Sequence, residues 1–256
     1  IEKYEMIGQG DHVCAAVSGG ADSAALLAFL LSLREPMGLT VTACHLNHCL
    51  RGAEADRDEE HVRRYCQREG IPLEVLKIDV REEAAKRKLG LEACGRAVRY
   101  EFFRRLAGEN GVIATAHTLS DLAETVLLHL TRGTGLKGLC GIPPVRENIV
   151  RPLIDCSRRE IEDYCREHKI LYVTDSTNLE ARYSRNKVRL QVLPALKEIN
   201  PAFEEAVGRM AQSLREDDGC LCEEARELLG RAALEKGGWS CSVLSRGRKP
   251  VRIRAI

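Results

Sequence analysis

The chain has 256 residues, 44% hydrophobic and 30% charged, with a formal net charge of +1. That is enough apolar material for one large core plus a smaller unit, and too balanced a charge for a polycation, so any nucleic-acid surface must be local. An aromatic content of 4% argues against a base-stacking sheet, and eleven scattered cysteines with no C-x-x-C pair suit a reducing cytoplasm rather than a disulfide framework.

The first predicted element is a short buried strand at His12–Val17, followed by an apolar helix over Asp22–Arg34. Strand Leu39–His45, charged amphipathic helix Glu54–Glu69 and strand Pro72–Ile78 come next. Helix Glu92–Glu109, strand Gly111–Ala116 and helix Asp121–Thr131 complete the alternation. Alternating strands and helices predict an α/β, Rossmann-like parallel sheet with helices on both faces. Ligands in such sheets bind at the carboxyl ends of the strands, where Ser18, His45 and His117 all fall.

After Pro143-Pro144 the pattern changes. "SRRE" at 157–160 reads as a capping box opening a helix through His168, and "LYVTD" (171–175) as a short last strand. Helical patterns follow over Asn186–Leu196 and from Asn200-Pro201 to Arg231, with Asn200 as the cap and Pro201 as the first helical residue. The expected division is 1–197, a catalytic domain, and 198–256, a small helical region. The basic C-terminal run reads as a frayed tail or the stump of a truncated domain, and the start at Ile1 suggests a missing N-terminus. The longest apolar stretch, Ala24–Leu31, falls far short of the ~20 residues that cross a bilayer. Oligomeric state stays open, with a homodimer as one arrangement.

"SGGADS" (18–23) sits between the first strand and its helix. A tight glycine-containing loop at a helix N-terminus exposes backbone N–H groups and the positive end of the helix dipole, which suits an anion. Gly19 and Gly20 allow close approach, Ser18 and Ser23 offer hydroxyls, and Asp22 calls for an intervening cation such as Mg²⁺. An ordinary strand-to-helix turn fits the composition equally well. No G-K-[ST] follows, so this is not a Walker loop, and "GTGLKG" (133–138) follows a helix, which fails the dinucleotide context.

Further along, "HLNHCLRGAEADRDE" (45–59) reads as polar loop residues beside a nucleotide, not as a metal cluster. "LEACGRAVRYEFF" (91–103) puts Glu92, Arg96 and Arg99 on one helical face, either a salt-bridge ladder or arginines aimed at phosphate. "AHTLSDLAET" (116–125) puts Asp121 and Glu124 one turn apart beside His117, either as capping acids or as a functional pair.

The S-G-G-x-D-S string resembles the PP-loop of the ATP pyrophosphatases, which split ATP between the α and β phosphates. Together with "RPLID" (151–155), "DSTN" (175–178) and "RNKVR" (185–189), the later segments resemble the tRNA(Ile)-lysidine synthase family over roughly residues 11–200. Where that family usually reads H-x-x-D-D-Q-x-E-T, this chain has Ser120 and Leu122 in place of an acid and an amide.

The resemblance implies an ATP-dependent ligase. It would join free L-lysine to C2 of the wobble cytidine of a CAU-anticodon tRNA(Ile), through an adenylated tRNA, changing decoding from AUG to AUA. Catalytic work is expected of Asp22, Arg96, Asp121 and Glu124. Ser18, Gly19, Gly20, Ala21, Asp22, Ser23, His45, Asn47 and His117 would bind ATP, with Mg²⁺ at Asp22. His48, Arg51, Glu92, Arg99, Arg132, Arg185 and Arg189 would bind substrate. Basic patches at Arg182, Lys187 and Arg246–Arg254 would be tRNA contacts or solvated faces. A tRNA thiolase and an inactive nucleotide-binding module are the alternatives.

Overall fold

The computed structural model describes residues 1–50, 52–173 and 184–255. β1 (His12–Ala16) leads into α1 (Ala21–Ser32), then β2 (Thr40–Asn47), α2 (Ala53–Arg68) and β3 (Leu73–Lys77). α3 (Val80–Arg87) and α4 (Leu91–Ala107) precede β4 (Val112–Ala114), α5 (Leu119–Arg132) and α6 (Leu136–Leu139). The hairpin β5 (Val145–Arg146) and β6 (Ile149–Val150) is followed by α7 (Arg158–Glu167).

These strands form one six-stranded sheet in the order β3-β2-β1-β4-β6-β5. All neighbouring pairs are parallel except β5 with β6. The chain winds outward through β2 and β3 on one side of β1, then returns to β4 on the other. The carboxyl ends of β1 and β4 are therefore the topological switch point, where this class of fold places its ligands.

Burial explains the local choices. Val13, Cys14 and Ala15 are fully enclosed, as a central strand demands. α1 is apolar nearly all round because it lies beneath other elements, with Leu26, Leu27 and Leu30 at 0% exposure. One main core joins α1, α5, α7 and the sheet. A second cluster, with Cys14, Cys44, Phe102 and Phe103, lies between the opposite face and α4, so helices cover both faces as expected.

Several expectations are corrected. α3 was not foreseen, although Asp79 caps it by accepting from the backbone N–H groups of Arg81 (2.8 Å) and Glu82 (3.4 Å). The β5–β6 hairpin has strands too short to show a period. Leu171–Val173 form no strand; instead the Val173 N–H donates to Gly19 O at 2.9 Å, and residues 174 and 175 lie outside the described residues. The capping box does form, with Ser157 N–H donating to Glu160 Oε2 at 2.8 Å.

The helical pattern after Asn186 is broken into α8 (Ser184–Lys187), a π-helical turn (Val188–Val192) and α9 (Leu193–Ile199). α10 (Phe203–Ala232) starts later than expected. Asn200 closes a turn by accepting from Ala202 N–H at 3.0 Å, and Ala202, not Asn200, is the capping position. The C-terminal run is not a frayed tail, because α11 (Cys241–Ser245) and α12 (Lys249–Ala255) fold back on α10 around Ala225, Leu228 and Val251. The first turns of α10 belong to the main core through Val207 and Ala211. Among the described residues, no helix is long and apolar enough to cross a membrane.

Candidate active site

The loop after β1 is built around the Ser23 hydroxyl. Its Oγ accepts from Ser18 N–H (3.1 Å) and Gly19 N–H (3.2 Å) and donates to Gly20 O (3.0 Å). Ser23 is 3% exposed, so it shapes the loop from within and offers no free hydroxyl to an anion, a correction to the expectation from sequence. Ser18 is exposed, and its Oγ lies 3.1 Å from Ser23 Oγ. Gly19 has φ +95°, which only glycine adopts without strain. Gly20 caps α1, leaving the first-turn N–H groups from Ala21 onward directed out of the helix end.

Asp22 stands in that first turn, and its Oδ1 accepts from Arg158 Nη1 at 2.8 Å. Burial pushes its carboxyl upward, Arg158 pulls it back, and Asp121 pushes it up again. Two carboxylates from α1 and α5 thus face one another electrostatically across the switch point.

On α5, Thr118 and Asp121 form a reciprocal capping box, with Thr118 N–H donating to Asp121 Oδ2 at 2.9 Å. Asp121 Oδ1 accepts from Arg185 Nη2 at 2.8 Å. Glu124 differs from its expected crevice-facing role, because its side chain is fully enclosed. Arg185 Nε (2.7 Å) and Arg189 Nε (2.5 Å) donate to its two oxygens. Glu124 therefore anchors the segment after residue 183, while Asp121 keeps some exposure. Arg185 and Arg189 are paired with these acids while part of each side chain stays in water.

His117 follows β4, with Nδ1 3.0 Å from Thr115 Oγ1. Burial holds its imidazole down at about 4; Asp121 opposes this, while Arg151, Arg185 and Arg99 reinforce it. His48 is also held down to about 4 by burial and by Arg99, whose Nη2 lies 3.2 Å from His48 Nε2. Both rings are neutral at pH 7. His45 is buried with Nδ1 2.8 Å from Val17 O, which ties β2 to the start of the loop.

Asn47 is corrected from a nucleotide contact to a scaffold residue. It is 2% exposed; its amide donates to Asp56 (3.0 Å) and Glu59 (2.9 Å), and its Oδ1 accepts from Cys49 N–H (3.0 Å). Arg96 stacks over Tyr100 at 5.0 Å, and Glu92 stands exposed in the first turn of α4. Arg132 lies at the far end of α5 from Asp121, about 16 Å along the helix, so it is not part of the cluster. In the C-terminal basic run, Arg248 pairs with Glu224, and Arg254 Nη2 with Asp218 at 2.6 Å. Arg51, Arg182 and "DSTN" (175–178) lie outside the described residues.

Sequence reasoning missed two residues of the site. Arg158 reaches Asp22 from a helix 136 positions away, a contact no local pattern announces. Arg151 was noticed only within "RPLID"; it is 3% exposed, and its Nη1 donates to Pro143 O at 2.7 Å. The two departures at 120 and 122 differ in consequence. Leu122 is fully buried, packed against Gly141 (φ +65°), where an added Cβ would sit 2.4 Å from Leu122 Cδ1. Ser120 is partly exposed.

A profile of the PP-loop domain matches residues 3–196. The tRNA(Ile)-lysidine synthase of Clostridium tetani is 44% identical over 221 residues, spanning 85% of this chain and 47% of that protein. That of Petrotoga mobilis is 40% identical over 235 residues, spanning 89% of this chain and 75% of that protein. Against most of these curated relatives the chain spans about half their length. Among solved structures, the U34-tRNA thiolase NcsA from Methanococcus maripaludis superposes with TM-score 0.67 at 18% identity, covering 83% of this chain and 74% of that one, which is a likeness of fold.

Proposed function

The chain belongs to the tRNA(Ile)-lysidine synthase family of PP-loop proteins, and on that footing we propose that it carries the ATP-dependent ligation of free L-lysine to the wobble cytidine of CAU-anticodon tRNA(Ile). The observation that supports this best is the meeting of the glycine loop, Asp22, Asp121 and His117 at one switch point. We take residues 1–197 as the adenylating unit and 198–256 as an appended helical region docked through Val207 and Ala211. The eleven free cysteines accord with work in the cytoplasm.

In the proposed reaction, the cytidine O2 attacks the α-phosphorus of ATP and pyrophosphate leaves. The lysine ε-amine then attacks C2, the C2–O bond breaks, AMP departs and the amine loses a proton. The N–H groups at the start of α1, with Ser18, hold the pyrophosphate oxygens. Asp22 is the hard oxygen donor that would hold Mg²⁺, exchanging its contact with Arg158 Nη1 (2.8 Å) for the ion. When bound, that ion would neutralise charge on the phosphate oxygens. Asp121 is the acid placed to hold the lysine ammonium or take its proton; free lysine is almost wholly protonated at pH 7, with a pKa of ~10.4. Neutral His117 would donate or accept a hydrogen bond without adding charge, and Arg96 and Arg99 are the cations we assign to the developing phosphate charge.

Exchange of labelled pyrophosphate into ATP, run with and without CAU-anticodon tRNA, tests the adenylation half. Exchange that needs the tRNA supports the proposal; exchange that ignores it, or its absence at saturating tRNA, counts against it.

A further inference from the structure

The first half of α10 lies outside the 1–197 unit, yet it packs against the helix that carries Asp121. Gly208, Ala211 and Arg215 stand at i, i+3 and i+7, so they share one face of α10. Ala211 is fully enclosed in the main core, together with Leu119, Leu122 and Val126 of α5. A Cβ added at Gly208 would sit 2.8 Å from Leu119 Cδ1, closer than packed carbons approach. Leu119 is itself 4% exposed, so its methyl has no solvent to retreat into. It is the first residue of α5, between the cap Thr118 and the acid Asp121.

Two turns along α10, Arg215 Nη1 donates to Cys140 O at 2.9 Å and to Ile142 O at 3.5 Å. These carbonyls bracket Gly141, whose backbone lies so close to α5 that an added Cβ would be 2.4 Å from Leu122 Cδ1 and 3.0 Å from Val126 Cγ2. Charge-assisted hydrogen bonds are the strong ones, so Arg215 holds the 140–142 turn firmly against α5. Between the two contacts, Gln212 Oε1 accepts from Lys3 Nζ at 3.0 Å, and the same ammonium donates to Asp155 Oδ2 at 2.9 Å. The next residue, Cys156, accepts from Leu119 N–H at 3.0 Å. α10 thus reaches the start of α5 directly through Gly208 and indirectly through Lys3 and Asp155.

We propose that Gly208 and Arg215 are positioning residues for Asp121, and that α10 is a brace setting where the first turn of α5 stands at the switch point. The consequence for lysine rests on the reading of Asp121 as the acid that meets the ammonium; the brace itself is read without lysine. A helix that is merely docked stabilises the fold without choosing the place of Asp121. The Thr118 N–H reports that place, since it donates to Asp121 Oδ2 at 2.9 Å and Thr118 is 4% exposed.

The test takes two measurements on the full chain. One is hydrogen exchange of the Thr118 amide by NMR, relative to the core amides of β1, which a uniform loss of stability would speed as well. The other is KM for lysine in transfer to CAU-anticodon tRNA. Gly208→Ala should speed exchange at Thr118 selectively and raise KM for lysine about 10-fold, with KM for ATP held within about twofold. Arg215→Met should act in the same direction, and Arg215→Lys should restore part of both. Adding Leu119→Val to Gly208→Ala reopens the contact and should return both quantities toward wild type. Gly219→Ala controls for helix propensity, because among the described residues nothing lies within 4 Å of a Cβ added there; it should change neither. Equal rises in the KM values for lysine and ATP, or Thr118 exchange and KM for lysine unmoved in both Gly208→Ala and Arg215→Met, overturn the brace. Should Gly208→Ala not fold, the Arg215 variants decide. A wild type that transfers no lysine, with Thr118 protection still lost in the variants, would sink the ligase reading and leave the brace standing.

Discussion

Arg189 Nε lies 2.5 Å from Oε1 of Glu124, a carboxylate with 0% exposure, and so fastens the π-helical turn to the helix that carries Asp121. The two residues are 65 positions apart, and their contact makes Glu124 a positioning residue for the acid one turn earlier. Removing one partner of a buried ion pair leaves a charge without its counterpart. Glu124→Gln should therefore lower unfolding stability by about 3 kcal/mol, the low end for such pairs because both arginines reach water. Denaturant titration reads this directly; an unchanged midpoint would mean the pair is ornamental.

Asp22 behaves oppositely. Burial, with Asp121, pushes its carboxyl upward against the pull of Arg158, so neutralising it relieves the folded state on balance. Asp22→Asn should unfold no earlier than wild type while pyrophosphate exchange falls at least ~100-fold, the trade expected of a strained functional acid. A variant that keeps its exchange rate removes Asp22 from the chemistry.

For the loop, Ser23→Ala deletes the acceptor shared by the Ser18 and Gly19 N–H groups. Loss of a buried hydrogen-bond hub costs about 1–3 kcal/mol, and loosening the loop should raise the KM for ATP more than it lowers kcat. Ser18→Ala removes a surface hydroxyl and should leave stability unchanged. If the two variants melt alike, the loop is not organised through Ser23.

The pH response has a defined sign. His117 and His48 are each held at about 4 against an ordinary 6.5. Between those values the unfolded chain binds protons that the native rings refuse, so stability is full above pH 6.5 and declines as pH falls toward 4. Each ring contributes a slope of about 1.4 kcal/mol per pH unit within that window. His117→Gln should flatten the curve by about one proton; an identical slope would place His117 in water.

These contrasts show what the sequence could carry. The parallel sheet, its helices and the loop at 18–23 were legible because apolar runs and glycine positions are local signals. Asp121 was legible as a helix-start acid beside a strand-end histidine. Glu124 was misjudged because i, i+3 spacing says which residues share a face, not whether that face is covered. Asn47 and Ser23 were read as ligand contacts because polar type does not reveal a partner already in place. Arg158 and Arg151 escaped notice because each reaches the site through tertiary approach, from α7 and from the turn after β6.

The most direct measurement incubates the protein with CAU-anticodon tRNA, ATP and isotopically labelled lysine, then analyses the wobble nucleoside by mass spectrometry. The account predicts ATP-dependent label at that cytidine, with AMP and pyrophosphate released in equal amounts. Sulfur in place of lysine, or ATP bound without any transfer at saturating tRNA, would contradict it.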